Sequence, residues 1–170
     1  DAGRQQEAYE FYDKALETYP KNIDLLYARA MVSEGLGHVQ WLERDLKAVL
    51  AIEPDNATAL NALGYTLADN SMKLDEALEY IKRALSLRPD DPAILDSMGW
   101  VLYRQGRYED AEKYLHKAYR TMEDAEIASH LGEVLWARGQ HEAAKEMVTK
   151  ALKSSPDDDR LLQLKARFSQ

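Results

Sequence analysis

Five stretches of this chain lie over one another. They are GRQQEAYEFYDKALETYPKN at 3–22, GHVQWLERDLKAVLAIEPDN at 37–56, MKLDEALEYIKRALSLRPDD at 72–91, GRYEDAEKYLHKAYRTMEDA at 106–125 and GQHEAAKEMVTKALKSSPDD at 139–158. Each opens on a turn and continues with apolar residues at helical spacing, and all but the fourth close on a proline. Between them lie IDLLYARAMVSEGL, ATALNALGYTLADN, PAILDSMGWVLYRQ and AEIASHLGEVLWAR, four more helical patterns. The unit is therefore a helix, a turn and a second helix, at 23–56, 57–91, 92–124 and 125–158, lengths of 34, 35, 33 and 34 residues. A half-unit at 1–22 precedes these, and an amphipathic DRLLQLKARF follows. One such unit cannot bury its apolar stripe alone, so the period predicts a stack in which neighbours complete the core.

Small residues recur inside the units. Numbering each from its start, place 8 holds Ala30, Gly64, Gly99 and Gly132; place 20 holds Ala8, Leu42, Ala77, Ala111 and Ala144. Place 27 holds Ala15, Val49, Ala84, Ala118 and Ala151, and place 32 holds Pro20, Pro54, Pro89 and Pro156. Small side chains at 8 and 20 let the two helices of a unit approach closely, and proline, lacking an amide hydrogen, ends the second helix. This pattern resembles the tetratricopeptide repeat (TPR) family over essentially the whole chain. The resemblance implies an all-α, right-handed superhelix of antiparallel helix pairs: a single solenoid over 1–170, with 1–22 as the second helix of a truncated repeat and 159–170 as a capping helix. The opening DAGR falls at the turn inside a repeat, so residues preceding this chain are expected. The departures are Arg29 at the leucine place 7, Leu42 at place 20, Glu123 at the fourth proline, one extra residue near DNSMK and one missing near TMEDA. Asp residues in SSPDDDR stand ready to cap the last helix.

Composition removes several function classes. The net charge is −8 with no local basic stripe, which disfavours nucleic-acid binding. The chain has no cysteine, hence no disulfide, thiolate metal site or cysteine nucleophile. No apolar run approaches the length of a membrane span. His141-Glu142 begins like a zinc-protease motif but HEAAK lacks the second histidine, and the four histidines sit in different units without ligand spacing. PDDDR lacks the alternation and glycine of a calcium loop. No positioned catalytic set emerges, so no enzyme, cofactor or metal is expected.

In TPR arrays the first helices line a concave face, and the resemblance carries that role to specific residues here. They are Tyr27 and Met31; Asn61 and Tyr65; Asp96, Trp100, Tyr103 and Arg104; Ser129, Glu133 and Trp136. Leu95, Met98 and Leu102 already fill the core places of their helix, which leaves Trp100 for the groove. The family's carboxylate clamp needs lysines and asparagines that this face lacks, since it offers Arg104 against six acids. What remains is an aromatic, acidic groove suited to a protein or peptide partner, with Asn61 able to bond a bound backbone. The opposing possibility is that these large side chains pack on neighbouring first helices. Trp41 has the same two readings, outward or packed beside Leu42. Replacing Trp100 and Tyr103 with alanine is expected to abolish binding and leave melting unchanged. The stretches LLYARAMVSEGLGHVQWLERDLKAVLAIEPDNATALNALGYTLAD and DDPAILDSMGWVLYRQGRYEDAEKYLHKAY are similar to the C-terminal repeats of large proteobacterial TPR lipoproteins. That resemblance implies an outer-membrane-anchored scaffold facing the periplasm, whose partner is a carboxyl-terminal processing serine protease with its substrates. A structural module that self-associates through its repeats is the alternative.

Overall fold

The computed structural model describes residues 2–169. Among the described residues there are ten helices and no strand: α1 (Ala2–Thr18), α2 (Ile23–Gly35), α3 (Val39–Ile52), α4 (Ala57–Asp69), α5 (Leu74–Leu87), α6 (Pro92–Arg104), α7 (Tyr108–Thr121), α8 (Ala125–Ala137), α9 (His141–Ser154) and α10 (Asp159–Phe168). They fall into two compact units, α1–α5 up to Leu87 and α6–α10 from Arg88 onward.

A single local device starts each of the five even-numbered helices. Asn22, Asn56, Asp91, Asp124 and Asp158 cap α2, α4, α6, α8 and α10, each side-chain oxygen accepting from backbone amides in the first turn. This satisfies donors that no helix can pair internally. Pro20, Pro54, Pro89 and Pro156 each stand two residues before such a cap, so one short motif ends a helix and starts the next. Within a pair the turn is closed by Gly37, Gly106 or Gly139 at φ +75, +79 and +76°, a conformation that favours glycine. The α4–α5 turn has no glycine and carries the extra residue; Ser71 and Lys73 adopt φ 52 and 45° there instead.

In the first unit α1 packs on α2, α2 on α3, α3 on α4 and α4 on α5. Gly64 on α4 faces α5 so closely that an added Cβ would lie 2.9 Å from the Ala77 carbonyl oxygen. Leu42, Leu46, Leu60, Leu63 and Ile81 are fully enclosed around these approaches. The atypical Arg29 has a partner that the sequence pattern did not reveal. Asp45, 1% exposed, accepts from Arg29 Nε at 2.7 Å and Nη2 at 2.8 Å, and also from Arg44 Nε at 2.8 Å. Arg29 also reaches Asp13 on α1 at 2.5 Å, so one guanidinium ties α1, α2 and α3. Burial pushes the Asp45 carboxyl up, but the hydrogen bonds from Arg29 and Arg44 outweigh it and hold the group below its ordinary value.

In the second unit α6 packs on α7, α7 on α8, and α8 on α9, with α10 lying against α8 and α9. Leu161, Leu164 and Phe168 are the buried stripe of α10. Gly132 has a looser site than Gly64: an added Cβ would meet Val148 Cγ2 at 3.1 Å and nothing else nearer than 3.7 Å.

Two outcomes follow from this packing. Gly64→Ala is expected to destabilise by about 1–3 kcal/mol through overpacking against backbone. At Gly132 the same change gains about 1 kcal/mol of helix propensity and ends near neutral, so paired thermal melts should separate the two variants clearly. Asp45→Asn strands a buried guanidinium and should cost about 3–5 kcal/mol at pH 7. Because the folded-state carboxyl titrates below its unfolded value, the ion pair's contribution is present above about pH 4 and is lost as pH falls through the folded value. Urea melts of wild type and Asp45→Asn should therefore converge in acid.

Candidate protein-binding surface

The residues expected on the first helices fall into two sets, one in each unit. In the first unit, Tyr27 and Met31 on α2 and Asn61 and Tyr65 on α4 are all half-buried. The spacing of four places the two residues of each helix on one face. The two helices are joined at their C-terminal ends, where Thr66 Oγ1 donates to Glu34 Oε1 at 2.7 Å. Burial, with Glu34 adding repulsion, raises the Tyr27 phenol above its ordinary value, so it stays a neutral donor. Asn61 Oδ1 is the exception among buried side-chain polar atoms of the described residues, being enclosed with no hydrogen-bond partner.

The second unit is organised differently. Trp100 is only 8% exposed. Its ring stacks on His130 at 4.1 Å between centroids and on Tyr103 at 5.0 Å, with the Arg104 guanidinium 5.5 Å from its centre. The expectation of a ring standing clear of the core is therefore corrected: filling the core places with Leu95, Met98 and Leu102 did not leave Trp100 outside, because α8 presents another flat side chain to cover it. Asp96 and Ser129 are also interior, at 5% and 0% exposed. The Ser129 hydroxyl is spent on the Glu126 carbonyl at 2.7 Å. Tyr103 donates to Glu133 at 3.2 Å, and Arg167 of α10 pairs with the same carboxylate at 2.7 Å. Trp136 is half-buried, with one stack on Phe168 at 4.3 Å, the rings 2° from parallel, and another on His141. Trp41 in the first unit is likewise packed, against Tyr9 at 4.9 Å and His38 at 4.0 Å.

Beneath the Trp100 stack runs a buried polar relay that sequence reasoning missed. His130, 1% exposed, has Nδ1 at 2.9 and 3.0 Å from the two Asp96 oxygens and Nε2 at 3.1 Å from Arg160 Nη1. Arginine can only donate, so Nε2 accepts and Nδ1 carries the proton toward Asp96. Burial raises the Asp96 carboxyl, and the hydrogen bond from His130 offsets this only in part. Arg160 continues to Glu126 at 3.2 Å. The relay thus joins α6, α8 and α10. The signal available in the sequence was position: Asp96 and His130 occupy neighbouring places, 5 and 6, of successive first helices.

Among the described residues no group of three or more His, Asp or Glu side chains is placed to hold a metal ion, and no helix is long and apolar enough to cross a membrane.

Known proteins share this architecture and its sequence pattern. Two tetratricopeptide repeat models match, over residues 55–124 and 102–168. The chain belongs to the tetratricopeptide repeat family. A TPR repeat-containing protein of Pseudomonas aeruginosa is 50% identical over 125 residues, covering 74% of this chain and 21% of that protein. Bacteriophage adsorption protein A of Escherichia coli is 30% identical over 99 residues, 58% of this chain and 10% of that one. The chain thus spans about a fifth or less of these relatives' length. Among solved structures, a thermophilic TPR protein of Thermus thermophilus superposes with a TM-score of 0.82 at 25% identity, covering 98% of this chain and 90% of that one. A TPR protein of Parabacteroides merdae reaches 0.87 at 20% identity over 98% and 65% of the two chains, which shows the fold. TPR proteins generally serve as protein-interaction scaffolds. The fold also occurs within enzymes, as in an O-GlcNAc transferase of Thermobaculum terrenum, of which this chain covers 26% at TM-score 0.70.

Burial reverses the outcome expected for the aromatic variants. Trp100→Ala should lower stability by about 3–5 kcal/mol, as for other buried aromatic truncations. A chemical-denaturation curve of Trp100→Ala that overlays wild type would show that the ring is not part of the core.

Proposed function

We propose that this TPR chain is a non-catalytic scaffold that binds a segment of a partner protein on the α2–α4 face of its first unit. The observation that carries this reading is Asn61, whose enclosed oxygen has no partner. An unpaired buried acceptor costs about 1–3 kcal/mol. A side-chain amide can return this by rotating to bond the N–H and C=O of a bound backbone. Tyr27, Tyr65 and Met31 beside it supply rigid aromatic and adaptable apolar area for such a segment. Asp96, Trp100, Tyr103, Arg104, Ser129, Glu133 and Trp136 contribute at the second unit chiefly by holding α6, α8 and α10 in place, with the exposed edges of Tyr103 and Trp136 available for contact.

The partner we propose is a carboxyl-terminal processing serine protease, which the scaffold recruits or activates together with its substrates. The compartment we propose is the periplasm, in association with the outer membrane. Both rest on the resemblance of residues 25–69 and 90–119 to proteobacterial TPR lipoproteins, and the 50% identity to a Pseudomonas TPR protein is in keeping with it.

Calorimetry with the purified chain and a purified protease of this class tests the reading. Wild type should form a complex, and Asn61→Leu should weaken it by about tenfold or more, a loss of about 1.4 kcal/mol. Removing the unpaired oxygen should leave melting unchanged or raised by about 1 kcal/mol. Equal affinity of wild type and Asn61→Leu would remove the assignment of the surface. Failure to bind the protease, with Asn61-dependent capture of another peptide from an array, would keep the scaffold and discard this partner.

A further inference from the structure

The terminal helix α10 is fastened to its unit through a histidine whose two ring nitrogens are both engaged. His130, buried on α8, points Nδ1 at both Asp96 oxygens, 2.9 and 3.0 Å away, and Nε2 at Arg160 Nη1 of α10, 3.1 Å away. The first contact takes the one hydrogen of a neutral ring, and the second needs a bare nitrogen, since a guanidinium offers only hydrogens. A second ring hydrogen has one place to go, Nε2, where it would meet the Arg160 hydrogens with positive charge on both sides. Arg160 is exposed and has Glu126 at 3.2 Å as another partner, so it can turn away from the ring. The other ties of α10 are Arg167, paired with Glu133 at 2.7 Å, and the buried stripe Leu161, Leu164 and Phe168.

We propose that His130 is a pH-operated latch on α10: uptake of a second ring proton repels Arg160 and lets the helix undock from α8 and α9. Imidazole is the side chain that exchanges such a proton between about pH 5 and 8. The ring is faced by Asp96 from α6, by Glu126 one turn earlier on its own helix and by Arg160 from α10, with Arg104 5.5 Å from the centre of the Trp100 ring that covers it. The neighbouring α7 buries Ala111, Leu115, Ala118 and Tyr119, and α9 buries Ala144, Val148 and Ala151, a set in which only Tyr119 ionises. Burial raises the Asp96 carboxyl, so acid also reaches that group. Both of its oxygens face Nδ1, so an O–H formed there donates to Nδ1 and moves the ring hydrogen to Nε2, with the same outcome for Arg160. The docked helix needs Nε2 bare and the undocked helix does not, so the undocked state binds more protons and docking weakens as pH falls. Undocking uncovers Leu161, Leu164 and Phe168 and takes Phe168 from its stack on Trp136, so acid exposes an apolar stripe that neutral pH keeps covered.

The test is hydrogen–deuterium exchange of the full chain at a series of pH values, read by mass spectrometry and corrected for the intrinsic rate at each pH. In wild type, protection of α10 should fall by about tenfold or more between about pH 8 and about pH 5.5, the size one coupled proton allows, while protection of α6 holds. His130→Gln keeps a donor for Asp96 and an acceptor for Arg160 but cannot titrate, so its α10 should be protected at pH 8 and stay so in acid. Arg160→Met changes an exposed residue and removes the group that the second ring proton repels. Its α10 protection should be lower than in wild type at pH 8 and independent of pH. His141, which stacks on Trp136 beside α10, is present in all three chains, so a response that belonged to it would survive in both variants. Constant α10 protection in wild type overturns the latch, and so does a fall of wild-type size in either variant.

Discussion

The structure depends on how closely two helix backbones come together inside each pair. Gly64 lies against the Ala77 carbonyl, and Gly99 lies against Ala111, whose carbonyl oxygen would be 3.1 Å from an added Cβ. At such range no side chain fits between the axes, and the large apolar residues are displaced to either side. Leu60, Leu63 and Ile81 in one unit, and Leu95, Leu115 and Leu131 in the other, form continuous buried layers as a result. Asn or Asp caps, four of them two residues after a proline, set where α2, α4, α6, α8 and α10 begin, so the glycine arrives opposite its partner.

Each unit also buries charge, and in each a network built on the buried carboxyl group joins three helices. In the first unit, the 23–56 repeat has Leu42 where the other repeats have alanine, and there Arg29 and Asp45 tie α3 to α2 and α1. The second has Asp96, His130 and Arg160 across α6, α8 and α10. Burying such groups offers little net stability. It does specify which helix lies beside which, because any other arrangement leaves a charge without its partner. The two carboxyls differ: hydrogen bonds from two arginines hold Asp45 below its ordinary value, whereas burial raises Asp96 above its own.

The aromatic residues show how one sequence position takes different fates. Trp100 and Trp136 are consumed by stacks with His130, Tyr103, Phe168 and His141. Tyr65 and Asn61 are half-buried on a face shared with α2, and the unpaired Asn61 oxygen gives that face an unmet hydrogen bond. The unmet hydrogen bond thus lies on the α2–α4 face, and not where aromatic side chains are most numerous.

Helix class, helix ends and the small-residue contacts were legible in the sequence, because each depends on residues within one repeat. A proline, a capping Asn or Asp and a glycine act over a few residues, and their period shows through even where Arg29 and Leu42 depart from it. The burial of Trp100 was not legible. It depends on a ring that lies 30 residues further on at His130, which is itself held by Asp96 and by Arg160 on the terminal helix, and no local pattern distinguishes a helix face awaiting a ligand from one awaiting its neighbour. The sequence by itself determined an α-helical repeat and its register. Only the tertiary structure decided which faces remained open, because that is set by side chains brought together from different repeats.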